Sequence, residues 1–305
     1  MAGSPVVVAF RMGQIAAGTG AAARWRAGWG ALLIGVSAVA GCSRHRPELA
    51  PAPSTANGGR SNSVVLRDNW RARVVVDRSD SIILTLPSGD HQLQRFSRRA
   101  AFTLTIADDG TATLRLDSLA LKPRVSGDAG NPIGAVWTGQ IAGDHLNAIQ
   151  VSGGSAGSAA PLTTLVRDLL PRLPAGGARA GLAWSDTSNG PVRVDIFSGS
   201  ERRTSTWAAG SASPRGGSRV LPVTVREEFE QLGTGNESGR RMSMTSQGSR
   251  SGVYYVTFDG RVSDAQLDDS VAMLISITGT RQLVPTTRYS RTSVHFFPLA
   301  RGQSE

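Results

Sequence analysis

One cysteine and four histidines serve a chain of 305 residues. A lone cysteine excludes an intrachain disulfide and a cluster of thiolate metal ligands. His45, His91, His145 and His295 lie far apart, and no two share metal-ligand spacing. Neither a metal nor a cofactor is expected. Lysine is scarcer still. Lys122 is the sole example, and it precedes a proline and follows no glycine loop, which excludes a P-loop. Gly233-Thr-Gly235 lacks the preceding strand and following helix of a dinucleotide fold and reads as a loop. Ala31–Ala40 is an apolar run of ten residues. A membrane-spanning helix needs roughly 20.

That short run is the most informative stretch of the chain. Arg24 and Arg26 precede it, and no acidic residue occurs before Cys42. This is the pattern of a signal peptide, with the positive end held in the cytoplasm. Val39-Ala40-Gly41-Cys42 resembles the lipobox of bacterial lipoproteins, in which an apolar and two small residues precede a modified cysteine. By that resemblance Cys42 is S-diacylglycerated, cleavage falls between Gly41 and Cys42, and the new amino group is acylated. Each buried CH₂ contributes about 0.8 kcal/mol, so two or more chains anchor stably where one does not. The membrane is then a partner through the lipid. The location is the cell envelope, with Ser43 pointing to the outer membrane where one exists. An ordinary secretory signal, or a buried strand beside a chance cysteine, is the plainer alternative. Met1 and Met12 both remain open as the start.

The full chain has 305 residues, and losing 41 of them leaves 264, enough for one large β domain or two small ones. The formal charge is +10, and Arg11, Arg24 and Arg26 fall in the signal, leaving +7. The arginines are scattered along the sequence. Guanidinium binds phosphate and carboxylate in a bidentate fork. A basic face would meet lipid or anionic envelope components; a solvated arginine-rich surface is the plainer reading. No nucleic-acid-binding module is present, so nucleic acid is not an expected partner.

Residues 1–41 thus read as signal, and 42–63 as the lipidated cysteine and a tether rich in proline, glycine and small polar residues that cannot bury a core. Residues 64–298 read as one β-rich domain, and 299–305 as a tail. Arg73–Asp77 and Ile82–Leu86 have strand composition. Phe102–Ile106, the Asp108-Asp-Gly110 turn and Thr111–Leu121 predict a hairpin. Val136–Ile141 and Leu146–Val151 predict another. Pro161–Leu170 is the helix candidate, with Leu162, Leu165, Val166 and Leu169 on one stripe. Short strands follow at 182–185, 192–197, 203–208, 220–229, 240–246 and 252–258, with long ones at 261–278 and 286–297. Residues 209–218 and 232–239 read as a loop and a turn.

Leu104–Leu119 echoes Tyr255–Val271: a strand, a glycine hairpin, then Leu-Asp-Ser-type residues. Two related halves, about 64–151 and 180–298, are one explanation; common turn chemistry is the other. Leu170-Pro-Arg-Leu-Pro174, Gly181-Leu-Ala-Trp184 and the Phe258-Asp-Gly260 hairpin resemble a family of uncharacterised β-rich bacterial lipoproteins. That resemblance implies no established activity. It implies a long curved antiparallel sheet or half-barrel with one short covering helix, akin to the lipoprotein carriers of the outer-membrane sorting pathway.

Gly153-Gly-Ser155-Ala-Gly157 matches the nucleophile elbow of serine hydrolases, with His295 as the histidine downstream. Pro161 delays the helix by six residues after the serine, and no alternating βα units follow. Asp108-Asp109, Asp268-Asp269 and Glu227-Glu228-Glu230 are acidic clusters without calcium-loop spacing, and read as solvated. Trp137, Trp184 and Trp207 are either core or the wall of an apolar cavity. The expected function is therefore non-enzymatic: an envelope lipoprotein that binds a hydrophobic ligand or an envelope component. A structural lipoprotein without a small ligand, and a hydrolase using Ser155, are the rivals.

Overall fold

The computed structural model describes residues 63–86, 88–123, 131–142, 145–154, 159–194, 196–237, 239–280 and 282–300. Gly41, Cys42, the tether to residue 62 and Ser155 lie outside them. Within the described residues the strands are β1 (Trp70–Thr85), β2 (His91–Ile106), β3 (Thr111–Lys122), β4 (Val136–Ala142), β5 (His145–Ser152) and β6 (Ala183–Val194). They continue as β7 (Phe197–Ala209), β8 (Ser213–Arg215), β9 (Ser218–Glu237), β10 (Arg240–Thr257), β11 (Val262–Ile277) and β12 (Gln282–Pro298). A 3-10 turn, Ala160–Leu162, leads into α1 (Thr163–Arg167).

All twelve strands join one antiparallel sheet, in the order β5-β4-β3-β2-β1-β12-β11-β10-β9-β7-β6, with β8 added on β9. The expected mainly-β architecture with one covering helix is therefore correct. Both glycine hairpins form as expected, with φ of 78° at Gly110 and 83° at Gly260, a region that a side chain would oppose. The first and last strands, β1 and β12, pair with each other in mid-sheet, from Ala72 opposite Pro298 to Leu84 opposite Thr286.

The sheet is open but strongly curled. Trp137 of β4 donates through Nε1 to Thr163 Oγ1 at 3.1 Å, and α1 also packs on β5 and β6. Laid flat, β4 and β6 would lie nine strand spacings apart, about 43 Å. A five-residue helix is only about 7.5 Å long. It reaches both edges because the sheet bends round it. Irregular register at Ala101/Phe102 and Tyr255/Val256 marks bulges, which bend and twist a strand. Gly199 allows another close approach: a Cβ there would lie 1.8 Å from the Leu232 carbonyl oxygen on β9.

The concave face buries one apolar cluster. Trp70, Val74 and Val76 of β1 meet Phe102 and Leu104 of β2, Leu114 and Leu116 of β3, and Val294 of β12. Leu162, Val166, Leu169 and Leu173, just before, in and after α1, fill the hollow. Burial of this apolar surface, at roughly 25 cal/mol per Å², is what holds so short a helix in place.

The elements are longer than the sequence reading expects. Residues 73–77 and 82–85 belong to one strand of 16 residues, and 240–246 and 252–257 to one of 18. Likewise 182–185 and 192–197 fall mainly within β6, and the turn expected at 232–239 is largely the end of β9. The helix is shorter: a 3-10 turn containing Pro161, then five α residues instead of ten.

Candidate functional site

Alternation brings charge into the interior. The inward positions of β1 run Trp70, Ala72, Val74, Val76, Arg78, Asp80, Ile82 and Leu84. Those of β10 run Met242, Met244, Ser246, Gly248, Arg250, Gly252, Tyr254 and Val256. Pairing register aligns these polar positions. Asp80 faces Ser290, Ser290 faces Asp269, Asp269 faces Arg250, Arg250 faces Glu227 and Glu227 faces Ser205. The row crosses six neighbouring strands, and each member is buried.

Ion pairs knit the row to α1. Asp168, directly after the helix, accepts from Arg250 Nη1 at 2.5 Å and from Arg203 Nη1 at 3.2 Å. Arg250 Nε also reaches Asp269 at 2.5 Å, and Arg203 reaches Glu227 at 2.9 Å and Glu201 at 3.1 Å. Arg167 of α1 reaches Glu201 at 3.1 Å. On β1, Asp80 accepts from Arg78 at 2.9 Å, from Arg98 at 3.4 Å and from the Ser290 hydroxyl at 2.6 Å. Gln231 donates to Glu201 at 2.7 Å, and the Ser246 hydroxyl donates to Gln231 at 3.0 Å.

The charges are locked. Burial pushes the Asp168 carboxyl up, but Arg250, Arg203 and Arg167 together outweigh it and hold it well below the usual carboxylate range. Asp80 and Glu201 follow the same pattern: burial raises each, while Arg78 and Arg98, or Arg203 and Arg167, lower it further. Burial would lower Arg250, yet Asp168 and Asp269 raise it. Burial raises the Tyr254 hydroxyl far above its ordinary value. At neutral pH these carboxylates and Arg250 are held charged, and the Tyr254 hydroxyl is held neutral.

A cavity of about 90 Å³ lies between α1 and the sheet. Its lining includes Arg78, Arg98, Arg193, Arg203, Arg250 and Arg288, against Asp168 and Asp269 alone among carboxylates. With Arg167 added, seven guanidiniums stand in and around this space. Five carboxylates accompany them: Asp80, Asp168, Glu201, Glu227 and Asp269. Thr292 also lines the cavity; it is 1% exposed, and its hydroxyl has no hydrogen-bond partner. The buried Nε of Arg193 likewise has none. A larger cleft of about 630 Å³ is lined by Ser79, Ser81, Ser249 and Ser251 with Tyr289 and Arg291.

Two sequence readings need correction. The arginines, scattered along the chain, converge in space inside the sheet. Glu227 and Asp269 are buried rather than solvated, at 4% and 6% exposure, because they occupy the inward phase of β9 and β11. Their neighbours Glu228 and Asp268 point the other way and are exposed. Asp80, Arg250, Ser205 and Ser290 are not singled out by the sequence reading, although charge in phase with a flanking apolar alternation is a readable signal.

The lipidation residue Cys42 and the cleavage residue Gly41 lie outside the described residues, as does Ser155. Trp184 and Trp207 come together, stacked with centroids 6.3 Å apart. Trp137 stands elsewhere, edge-on to Phe102 at 5.9 Å. Trp184 Nε1 donates to the Arg172 carbonyl at 3.1 Å. These tryptophans pack on one another and on the helix segment, and line neither of the two cavities above. His295 Nδ1 lies 2.8 Å from Asp264 Oδ1, with 45% of its side chain exposed. Among the described residues no group of three or more His, Cys, Asp or Glu is placed to hold a metal.

No protein family matches this chain, and no curated relative does. Solved structures that resemble it include OccK2 (OpdF) of Pseudomonas aeruginosa, at 7% identity and a TM-score of 0.21, covering 75% of this chain and 99% of that one. Outer-membrane expressed OmpT of Vibrio cholerae gives 8% identity and a TM-score of 0.20 over 76% and 100%. OccK2 in complex with glucuronate gives 8% and 0.18 over 79% and 99%. Those neighbours are β-barrels, whereas the sheet here is not closed.

Proposed function

We propose that this chain is an exported lipoprotein, held at the cell envelope by an acylated Cys42, whose sheet domain binds a ligand and does not catalyse. One observation carries the binding reading: α1 covers a cavity whose walls hold two buried donors without partners, the Thr292 hydroxyl and the Arg193 Nε. A purely structural interior would pair such groups. The locked protonation states support a non-catalytic role, since general acid–base chemistry needs a group that titrates near working pH. The lipobox supports the anchor, and Ser43 supports delivery to the outer membrane.

A second reading keeps the hydrophobic ligand. Leu162, Val166, Leu169 and Leu173 fill the apolar hollow, and an acyl chain would take their place by lifting α1 from it.

Native mass spectrometry of the full chain, extracted in detergent from a bacterial host, tests both halves together. The expected species has lost residues 1–41, carries covalent acyl mass and releases a non-covalent ligand on activation. An uncut, unacylated chain overturns the anchor. An acylated chain that releases nothing overturns the binding role.

A further inference from the structure

We propose that the outer face of the sheet carries a second binding site, a cleft for a neutral oligosaccharide. The cleft of about 630 Å³ lies behind the ionic row, on the side away from α1. Asp80, Ser290, Asp269, Arg250 and Glu227 point inward, so the residues on either side of each in sequence point outward. Register sets these outward neighbours in two parallel rows. One runs Ser81, Tyr289, Ser270, Ser249 and Glu228; the other runs Ser79, Arg291, Asp268, Ser251 and Arg226. All of them line the cleft. The space exists because half of them are serines, too short to fill the gap between the longer side chains of β12 and those of β9. Those two strands stand three spacings apart, about 14 Å.

Three properties of the walls select the ligand. The first is hydroxyl supply. A serine hydroxyl both donates and accepts hydrogen bonds, and so does a sugar hydroxyl. Among the described residues none of these serine hydroxyls is spent on another group of the protein. The second is charge. Arg226 and Arg291 stand against Glu228 and Asp268, equal in number, with Arg291 Nε 2.9 Å from Asp268 Oδ1. A polyanion would meet both carboxylates, and a polycation both guanidiniums. A neutral chain of hydroxyls donates to the former and accepts from the latter. The third is the Tyr289 ring, 51% exposed, which offers one apolar face among polar walls. The C–H face of a pyranose ring packs on such a surface while its edge hydroxyls turn to the serines. A lipid would find no apolar wall here, and a protein partner no apolar centre of the kind that interfaces bury. The floor is also rigid. Behind it Ser290 bonds Asp80, and Arg250 joins Asp269 and Glu227, which ties five strands in register and lowers the ordering cost of binding.

The test is calorimetric titration of the full chain in a polyoxyethylene detergent, which carries no sugar headgroup. The probes are maltohexaose, cellohexaose, mannohexaose and N-acetylated chitohexaose, with hexagalacturonate as the anionic counterpart. Saturable binding of at least one neutral hexasaccharide, with hexagalacturonate about tenfold weaker or more, is the expected result. Tyr289→Ala should weaken that binding about fivefold to tenfold, the size of a lost ring contact. Tyr289→Phe keeps the ring and should bind nearly as the parent does. Ser251→Val removes a floor hydroxyl and raises the floor, and should bind about tenfold more weakly. Both side chains are exposed, and valine suits a strand, so neither Tyr289→Ala nor Ser251→Val should lower the thermal midpoint. Binding of none of the neutral probes overturns the inference. So does equal affinity for hexagalacturonate, or neutral binding that Tyr289→Ala and Ser251→Val both leave unchanged. Each of these outcomes leaves the ligand beneath α1 standing, because that ligand is read by its release in the mass spectrometer.

Discussion

The Tyr254 hydroxyl donates to the backbone carbonyl of Asp168 at 2.9 Å, while the Asp168 side chain accepts from Arg250, four residues before that tyrosine on the same strand. Two inward side chains of β10 therefore grip one residue at the end of α1, and they close the hollow more tightly than five helical residues could alone. Removing one partner of a buried ion pair leaves the others uncompensated. Asp168→Asn should lower stability by about 3–5 kcal/mol, and Tyr254→Phe by about 1 kcal/mol. Urea unfolding followed by tryptophan fluorescence measures both. A loss below about 1 kcal/mol for Asp168→Asn would contradict the grip, given the usual magnitude for buried pairs.

Acid should loosen the same joint. Asp168, Asp80 and Glu201 have folded values below their unfolded ones, despite burial, because arginines surround them. Their stabilisation is fully present above the unfolded values, near pH 4, and is lost as pH falls through the lower folded values. The midpoint temperature should hold from pH 7 to about 5 and then fall steadily towards pH 2. Asp168→Asn should give a shallower acid slope. A midpoint that rises on acidification would refute this.

Arg250 reaches Asp269 and Asp168 through different nitrogens of one planar fork. Lysine offers a single point charge and cannot span both. Arg250→Lys should keep the net charge yet lose about 2–3 kcal/mol, comparable to one charged hydrogen bond left unmade. Thermal unfolding at neutral pH reads the difference, and a stability equal to the parent would show that charge alone suffices.

Glycines should separate by their surroundings. At Gly199 a Cβ would fall 1.8 Å from the Leu232 carbonyl oxygen and 2.6 Å from the Gly233 Cα, both backbone atoms that cannot swing aside. Gly199→Ala should destabilise by about 3 kcal/mol or more as β7 and β9 are forced apart. At Gly239, φ is 79° and nothing lies within 4 Å of a Cβ, so Gly239→Ala should lose only about 1–2 kcal/mol from the backbone conformation. Differential scanning calorimetry of the two variants checks the order.

Local chemistry made the hairpins at Gly110 and Gly260 and most apolar strand segments legible in the sequence. Strand lengths were not, and the reason is the ionic row itself. Arg78-Ser-Asp-Ser81 and Gln247-Gly-Ser-Arg-Ser-Gly252 have the composition of turns, yet they continue β1 and β10 across the interior. What distinguishes them is phase: Arg78, Asp80 and Arg250 keep the alternation of the valines, methionines and tyrosine on either side. The helix was overestimated because its leucines do form a stripe, but Leu169, Leu170 and Leu173 are buried from irregular chain. The cavity draws on residues from 78 to 292, and no local pattern announces such a convergence.

The pairing of β1 with β12 sets the order of assembly. A polypeptide delivered amino end first can pair β1 with β2 at once, but the other edge of β1 awaits β12, which arrives some 200 residues later. Until then both β1 and β11 present unsatisfied backbone edges, which invite association with other chains. Loop closure on this scale is slow, so the joining of the two halves through β12 is expected to be post-translational, and a holding chaperone acting before the last strand arrives would raise the yield.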